Sequence, residues 1–287
     1  MSPLSSLAPP PPSLVSVCES SARLAGVIIA SASPSLLANK ANSRDLLTST
    51  DPLAESAIKE EIARHFPDDV FLGEEGVAPG PESSAAALSS SLAAAKERGQ
   101  HLWIADPLDG TTNFCSRLQL SAVSVAVADP DGELLASCIF DPYSGECFTA
   151  SLGGGAFLNG ERLLISSPTP DLGSALVGMG SPPGAESMTA SLAVLPALMP
   201  KVRSIRMLGS AALMLAYVAC GRLSAYWEWD LSSWDVAGGA LIVEEAGGVM
   251  ANLGGGEHTL SNRKILACDG EALKGLLAKV IKEAGVE

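Results

Sequence analysis

Between residues 175 and 246 short apolar runs of β type alternate with segments of helical period, and that alternation restricts the chain to layered α/β architectures. Residues 175–179, 202–207 and 225–229 read as strands, and about 185–198, 210–220 and 235–246 as helices. The first half begins with Val15, Cys18, Ala22, Ala25 and Ile29, spaced at three or four residues, which predict a helix over 14–33. Thr50-Asp51-Pro52 is a helix start, a capping side chain with proline at the first helical position, and Leu53, Ile58, Ile62 and Phe66 form its apolar stripe up to Pro67. A strand over 70–72, an Ala/Ser-rich helix over 83–95 and a buried strand over 101–105, ending at Asp106, follow. Residues 121–128 and 133–140 are β-type runs joined by Asp129-Pro130-Asp131-Gly132, hence a hairpin, and 146–151 extends it to a meander. Gly153–Gly155 lacks the G-x-G-x-x-G spacing of a nucleotide loop and reads as a turn. The expected fold class is α/β with mixed sheets, a single domain over 13–287 whose halves are 13–170 and 171–287. Residues 1–12, ending in four prolines, form neither helix nor ladder and read as a disordered leader.

Composition narrows the function. With 32 acidic against 18 basic residues and a formal charge of −14, the chain has no basic face to release counterions, so neither nucleic acid nor an anionic membrane is an expected partner. Charges such as Glu19 and Arg23 interrupt the apolar stretches, and no transmembrane segment is expected. The six cysteines form no C-x-x-C pair and read as buried thiols; the three histidines lack the helical spacing of a zinc site. Walker A and G-x-S-x-G patterns are both absent.

The chemistry-bearing residues are acids at strand ends: Gly73-Glu74-Glu75, Asp106-Pro107-Leu108-Asp109-Gly110-Thr111-Thr112 and Trp234-Asp235. Taken singly, Asp106 reads as a turn residue and Asp235 as a helix cap. Taken together, converging carboxylates without lysines call for a hard divalent cation, and Mg²⁺ bridges carboxylates to phosphate oxygens. Pro107 and Gly110 are expected to force a turn that lets Asp106, Asp109 and the Leu108 carbonyl face one point. The Gly110 and Thr111 amides then open a helix as an anion site.

On these residues the chain resembles a known family. "WIADPLDGTTNF" (103–114), "FLGEEG" (71–76), "WDVAGGALIVEEAGG" (234–248), "KANSRDLLTSTD" (40–51) and "LGSAALMLAYVACGRLSAYWEW" (208–229) are similar to the motifs of the Mg²⁺-dependent, lithium-sensitive inositol monophosphatases, with wording closest to the plant and cyanobacterial branch. The resemblance implies an α/β/α/β/α sandwich of the sugar-phosphatase type, a homodimer, and two or three Mg²⁺ per site. It implies Glu74, Asp106 and the Leu108 carbonyl as ligands of one ion, and Asp106, Asp109 and Asp235 as ligands of a second, with Glu74 helping to hold a third. Thr111, bonded to Asp51, would position the attacking water, with Glu74 accepting its proton. Gly110 and Thr111 would hold the phosphate, Glu228 and the Ala212 backbone would meet substrate hydroxyls, and Lys40 would lie near the metals. Ser224 stands where the family often has Asp, which puts one partner of the substrate loop in doubt, and residues 115–120 lack the usual proline.

Two classes of function follow: hydrolysis of a small phosphate monoester, most concretely myo-inositol monophosphate, or a non-catalytic cation-binding scaffold. Within the enzymes the alternatives are another sugar phosphate, histidinol phosphate, fructose bisphosphate or a bisphosphate nucleotide. A second anionic group needs bases, and Lys201, Arg203 and Arg206 are the dense candidates. The expected location is the cytoplasm, or a plastid if the leader is the remnant of a transit peptide.

Overall fold

The computed structural model describes residues 13–40 and 46–286, so the expected leader over 1–12 lies outside the described residues. In chain order the elements are α1 (Leu14–Ser31), β1 (Leu36–Asn39), β2 (Leu46–Thr48), α2 (Thr50–His65), β3 (Val70–Gly73), α3 (Pro81–Arg98), β4 (Leu102–Asp109), α4 (Thr111–Cys115), β5 (Ala122–Ala128), β6 (Leu134–Phe140), β7 (Cys147–Ser151), β8 (Gly155–Leu158), β9 (Glu161–Leu163), β10 (Leu176–Met179), α5 (Ala185–Leu198), β11 (Ser204–Arg206), α6 (Ala211–Ala219), β12 (Ala225–Glu228), α7 (Ser233–Glu245), β13 (Val249–Asn252), β14 (Ile265–Cys268) and α8 (Glu271–Glu283).

Strands β3 to β9 form a seven-stranded sheet in sequence order, parallel only between β3 and β4. The second sheet has the order β11-β10-β12-β14-β13, with its first three strands parallel and β14 antiparallel to both neighbours. Helices α1 and α2 cover one face of the first sheet, α6 and α7 fill the space between the sheets, and α5 with α8 covers the far side. This is the α/β/α/β/α sandwich. Central strand β5 shows why its sequence is apolar throughout: Val123, Val125 and Val127 face the α1–α2 layer while Ala122 and Ala126 face the other, so both faces are buried.

Helix α1 starts where Ser13 Oγ accepts the Ser16 amide at 3.3 Å and stops ahead of Pro34. Contrary to the sequence reading, it is long and apolar enough to cross a bilayer by length and composition, with mean hydropathy 1.4. Its apolar stripe, Val17, Cys18, Ala22, Ala25 and Ile29, is buried against α2 and β6, which is the burial pattern of a core helix. Four of the six cysteines are buried, Cys115 and Cys220 are half-buried, and all are free.

Several expectations need correction. The strand expected to end at Asp106 runs on through Asp109. The strand read over 202–207 is confined to Ser204–Arg206, the preceding residues being a turn. Short strands β1, β2, β8, β9, β13 and β14 were not anticipated, because three- or four-residue runs beside Gly and Asn have no readable period. Helix α8 was also missed, although Leu273, Leu277, Val280 and Ile281 carry the spacing of one buried face.

Candidate active site

The decisive local event is in β4. Asp106 pairs with Ser124 of β5 and Asp109 with Ala122, so three residues of β4 span two of its neighbour. The extra residue is a bulge, tolerated where Pro107 has no amide for the ladder. Without it Asp106 and Asp109 would point to opposite faces; with it they share one. The turn expected from Pro107 and Gly110 is therefore a bulged strand, and the turn comes only at Gly110. There the backbone takes φ 90°, and a side chain would also strike the Leu120 carbonyl at 2.8 Å.

Asp235, in the first turn of α7, completes the group: one carboxylate oxygen from each of Asp106, Asp109 and Asp235 lies within 4.8 Å of the others. Each is oriented by a protein donor. Asp106 Oδ1 accepts the Leu108 amide at 2.9 Å, Asp109 Oδ2 accepts Ser210 Oγ at 2.5 Å and the Ala212 amide at 2.7 Å, and Asp235 Oδ2 accepts the Ser232 amide at 2.6 Å. The last bond is half of a capping box in which Ser232, not Asp235 as expected from the sequence, is the helix cap; Asp235 is its N3 partner and at once a member of the cluster.

The electrostatics match an ion site. Burial pushes Asp106 well above the usual carboxylate range, and the charges of Glu74, Asp109 and Asp235 add to it; Asp235 is raised in the same way by burial, Glu74 and Asp109. Burial raises Asp109 to about 6 against the hydrogen bonds from Ser210 and Ala212. Three mutually repelling carboxylates, each with an oxygen beyond its hydrogen-bonded one, form an all-oxygen donor set for a hard divalent cation.

Around the cluster lies a cavity of about 450 Å³ lined by Lys40, Glu74, Asp109, Gly110, Thr111, Glu228 and Asp235 among others. Thr111 Oγ1 is 3.1 Å from the Leu108 carbonyl and 3.3 Å from Asp51 Oδ1, and Asp51 is itself held by the Thr48 amide at 2.9 Å and by the Thr48 hydroxyl. Lys40 Nζ bridges Glu74 at 2.7 Å and Glu75 at 2.8 Å. Burial works against the lysine charge, but the two carboxylates prevail and raise its pKa; Glu75 is lifted to about 7 by burial and by Glu74. Glu228, at the end of β12, accepts the Tyr226 hydroxyl and packs over Gly180, where a Cβ would occupy the same space as its carboxylate. Burial raises Glu228 to about 7, with Tyr226 opposing.

The structure thus brings Lys40, Glu74, Asp109, Gly110, Thr111, Glu228 and Asp235 to one cavity, with Asp51, Asp106 and Leu108 directly behind. It does not bring Ala212 there. That residue is fully buried, its amide is spent on Asp109, and its neighbour Ala211 lines the cavity instead. Ser224 also lies off the cavity, accepting Thr169 Oγ1 at 2.9 Å and the Leu176 amide at 3.2 Å. Lys201, Arg203 and Arg206 are absent from its lining; Lys201 reaches Glu283 at 3.9 Å and Arg206 bonds to Ser204 Oγ and the Ile205 carbonyl. Three residues not anticipated do belong. Glu55 Oε2 accepts the Glu75 amide at 2.8 Å and so braces the 3-10 turn that presents Glu74. Asp230 and Arg263 line the cavity and pair at 2.8 Å. No local pattern marks Arg263, whose partner Ser84 lies 179 residues away.

The model of the inositol monophosphatase family matches residues 13–285. An inositol-1-monophosphatase of Mesorhizobium japonicum is 37% identical over 241 residues, covering 83% of this chain and 84% of that protein. The Nus factor SuhB of Pseudomonas aeruginosa is 36% identical over 245 residues, covering 84% and 85%. The crystal structure of the extragenic suppressor protein SuhB from Bartonella henselae superimposes with a TM-score of 0.81 at 33% identity, covering 93% of this chain and 98% of that one.

Proposed function

The chain belongs to the inositol monophosphatase family and is a phosphatase, and from that premise we propose that it hydrolyses a small phosphate monoester of a polyol, myo-inositol monophosphate above all, using Mg²⁺. The observation that supports this reading is the cluster of Asp106, Asp109 and Asp235, of which Asp109 and Asp235 line the same cavity as Thr111 and Glu228 and Asp106 lies directly behind them.

Glu74, Asp106 and the Leu108 carbonyl would hold one ion, Asp106, Asp109 and Asp235 a second, and Glu74 would contribute to a third. Mg²⁺ bound there supplies positive charge against the phosphoryl oxygens and acidifies a water. The remaining work falls to the chain. Thr111 has one hydroxyl hydrogen and two acceptors in reach, Asp51 and the Leu108 carbonyl, so its oxygen is oriented to accept a hydrogen bond from the attacking water. Glu74 would accept that water's proton, its carboxylate oriented by Lys40, which Glu75 holds from the other side. The amides at the start of α4 face the phosphate, with Gly110 allowing the close approach. Glu228 accepts a substrate hydroxyl, with its carboxylate held by Tyr226.

A bisphosphate substrate is disfavoured. Among the described residues, Lys40 and Arg263 are the basic side chains lining the cavity, and each is already paired with carboxylate. The test is phosphate release with Mg²⁺ from inositol 1-phosphate, galactose 1-phosphate, histidinol phosphate, fructose 1,6-bisphosphate and adenosine 3′,5′-bisphosphate. Highest kcat/KM on inositol 1-phosphate is expected, and a preference for either bisphosphate would overturn the substrate assignment.

A further inference from the structure

We propose that the Asp230–Arg263 pair selects the leaving group: Asp230 cancels the charge of a guanidinium built into the cavity wall, so that the site admits hydroxyls and turns away a second phosphate. This inference rests on the functional reading above and deepens it.

Arg263 precedes β14 and is tied to two segments around the cavity, α3 and the loop that enters α7. Its Nη1 donates to Ser84 Oγ in α3 at 2.5 Å and to Ser232 Oγ, the cap of α7, at 3.2 Å. Its Nη2 donates to the Asp230 carbonyl at 2.9 Å and to Asp230 Oδ1 at 2.8 Å. The guanidinium therefore stands fixed in the wall with four of its five donors aimed at protein acceptors. Asp230 is held as firmly. Its second carboxylate oxygen accepts Ser187 Oγ at 3.1 Å, and its backbone lies at φ 65°, a left-handed conformation that a non-glycine residue keeps only where its surroundings hold it.

The other base in the lining, Lys40, lies between Glu74 and Glu75 and is bound to the acidic end. Among the described residues, Arg263 is the base left to meet an anionic group carried by the leaving alcohol. Without that carboxylate Arg263 would keep its positive charge uncompensated and free the one Nη2 hydrogen now aimed at Asp230 Oδ1, and so would attract a phosphate oxygen. Paired with Asp230 it presents no net charge. A substrate bearing a second phosphate would have to displace Asp230 or lie beside it, and either costs affinity through repulsion, while a neutral polyol loses nothing. Rejection by a placed like charge is a standard route to specificity.

The experiment removes the charge and keeps the shape. Asp230→Asn retains a carbonyl oxygen for Arg263, and Asn tolerates the left-handed backbone; Asp230→Gly removes the side chain at a φ that suits glycine. In both, the ratio of kcat/KM for fructose 1,6-bisphosphate to that for inositol 1-phosphate should rise by about tenfold, the scale on which removing one repelling charge beside a phosphate changes affinity. Adding Arg263→Gln to Asp230→Asn should abolish the gain, which a merely structural role for Asp230 would not predict. A ratio within about twofold of wild type in both single variants, or a gain that survives Arg263→Gln, overturns the proposal. Wild-type turnover of inositol 1-phosphate is measured alongside: its absence overturns the functional reading and the selector with it, whereas its presence with an unchanged ratio overturns the selector alone.

Discussion

Glu55 Oε2 accepts the main-chain amide of Glu75 at 2.8 Å, joining the middle of α2 to the turn that carries Glu74. That turn is a single 3-10 turn over Glu74–Gly76 with no side-chain cap of its own, so this bond is its brace. Burial raises the Glu55 pKa, and the Glu75 amide opposes the shift, as expected for an acceptor turned inward.

If Glu55 positions Glu74, replacing it should weaken metal use before it harms folding. Glu55→Ala is expected to raise the Mg²⁺ concentration for half-maximal activity by about tenfold, the worth of a hydrogen bond to a charged group, while Glu55→Gln, which keeps a carbonyl acceptor, should stay much closer to wild type. Initial rates against MgCl₂ for the two variants check this, and equal curves would remove Glu55 from the site.

Asp235 serves the helix and the cluster at once, and the two roles separate in Asp235→Asn. The amide oxygen can still accept the Ser232 N–H, so the thermal midpoint should remain near wild type. Loss of a ligand charge should lower Mg²⁺-supported turnover by about 100-fold or more. Thermal unfolding and kcat measured on the same preparation decide it; an unchanged kcat would leave Asp235 as a capping-box partner only.

Thr111 is expected to act through its hydroxyl. Thr111→Val should lower kcat by about 100-fold while inhibition by inorganic phosphate, bound through backbone amides, changes little, and Thr111→Ser should recover most of the rate. A variant that loses phosphate affinity but keeps kcat would move Thr111 from water positioning to substrate binding.

The raised carboxylates fix the sign of a pH effect on the metal-free protein. Asp106, Asp109 and Asp235 hold their protons to higher pH when folded than when unfolded, so the stability they contribute is present below the ordinary carboxylate range and is lost as pH rises through their folded values, about 6 for Asp109. In EDTA the thermal midpoint should fall between pH 5 and pH 8, and Mg²⁺ should restore it most at pH 8, where the ligands are charged. A Mg²⁺-induced rise that is larger at pH 5 would contradict the cluster as the binding site.

Much of the site was legible in the chain because its residues sit in short contiguous motifs. Asp106, Asp109, Gly110 and Thr111 fall within six residues, and Glu74 and Asp235 close local patterns of their own. The bracing residues were not legible, because Glu55 and Arg263 act over 20 and 179 residues of separation, and neither stands in a pattern that announces its partner. Ala212 shows the opposite failure. Its place in a motif pointed to substrate, but an amide can be spent once, and the fold gives it to Asp109.

What the sequence by itself determined was therefore the set of elements with strong period and the identity of the acids, since helical spacing, alternation and charge are properties of neighbours. Tertiary structure alone decided that Asp106 and Asp109 share a face, because that depends on one residue of β4 having no counterpart on β5. It alone decided that Asp230 cancels Arg263. Hydrogen-bond register and charge pairing belong to the contacts between segments, and those contacts exist only once the chain is packed.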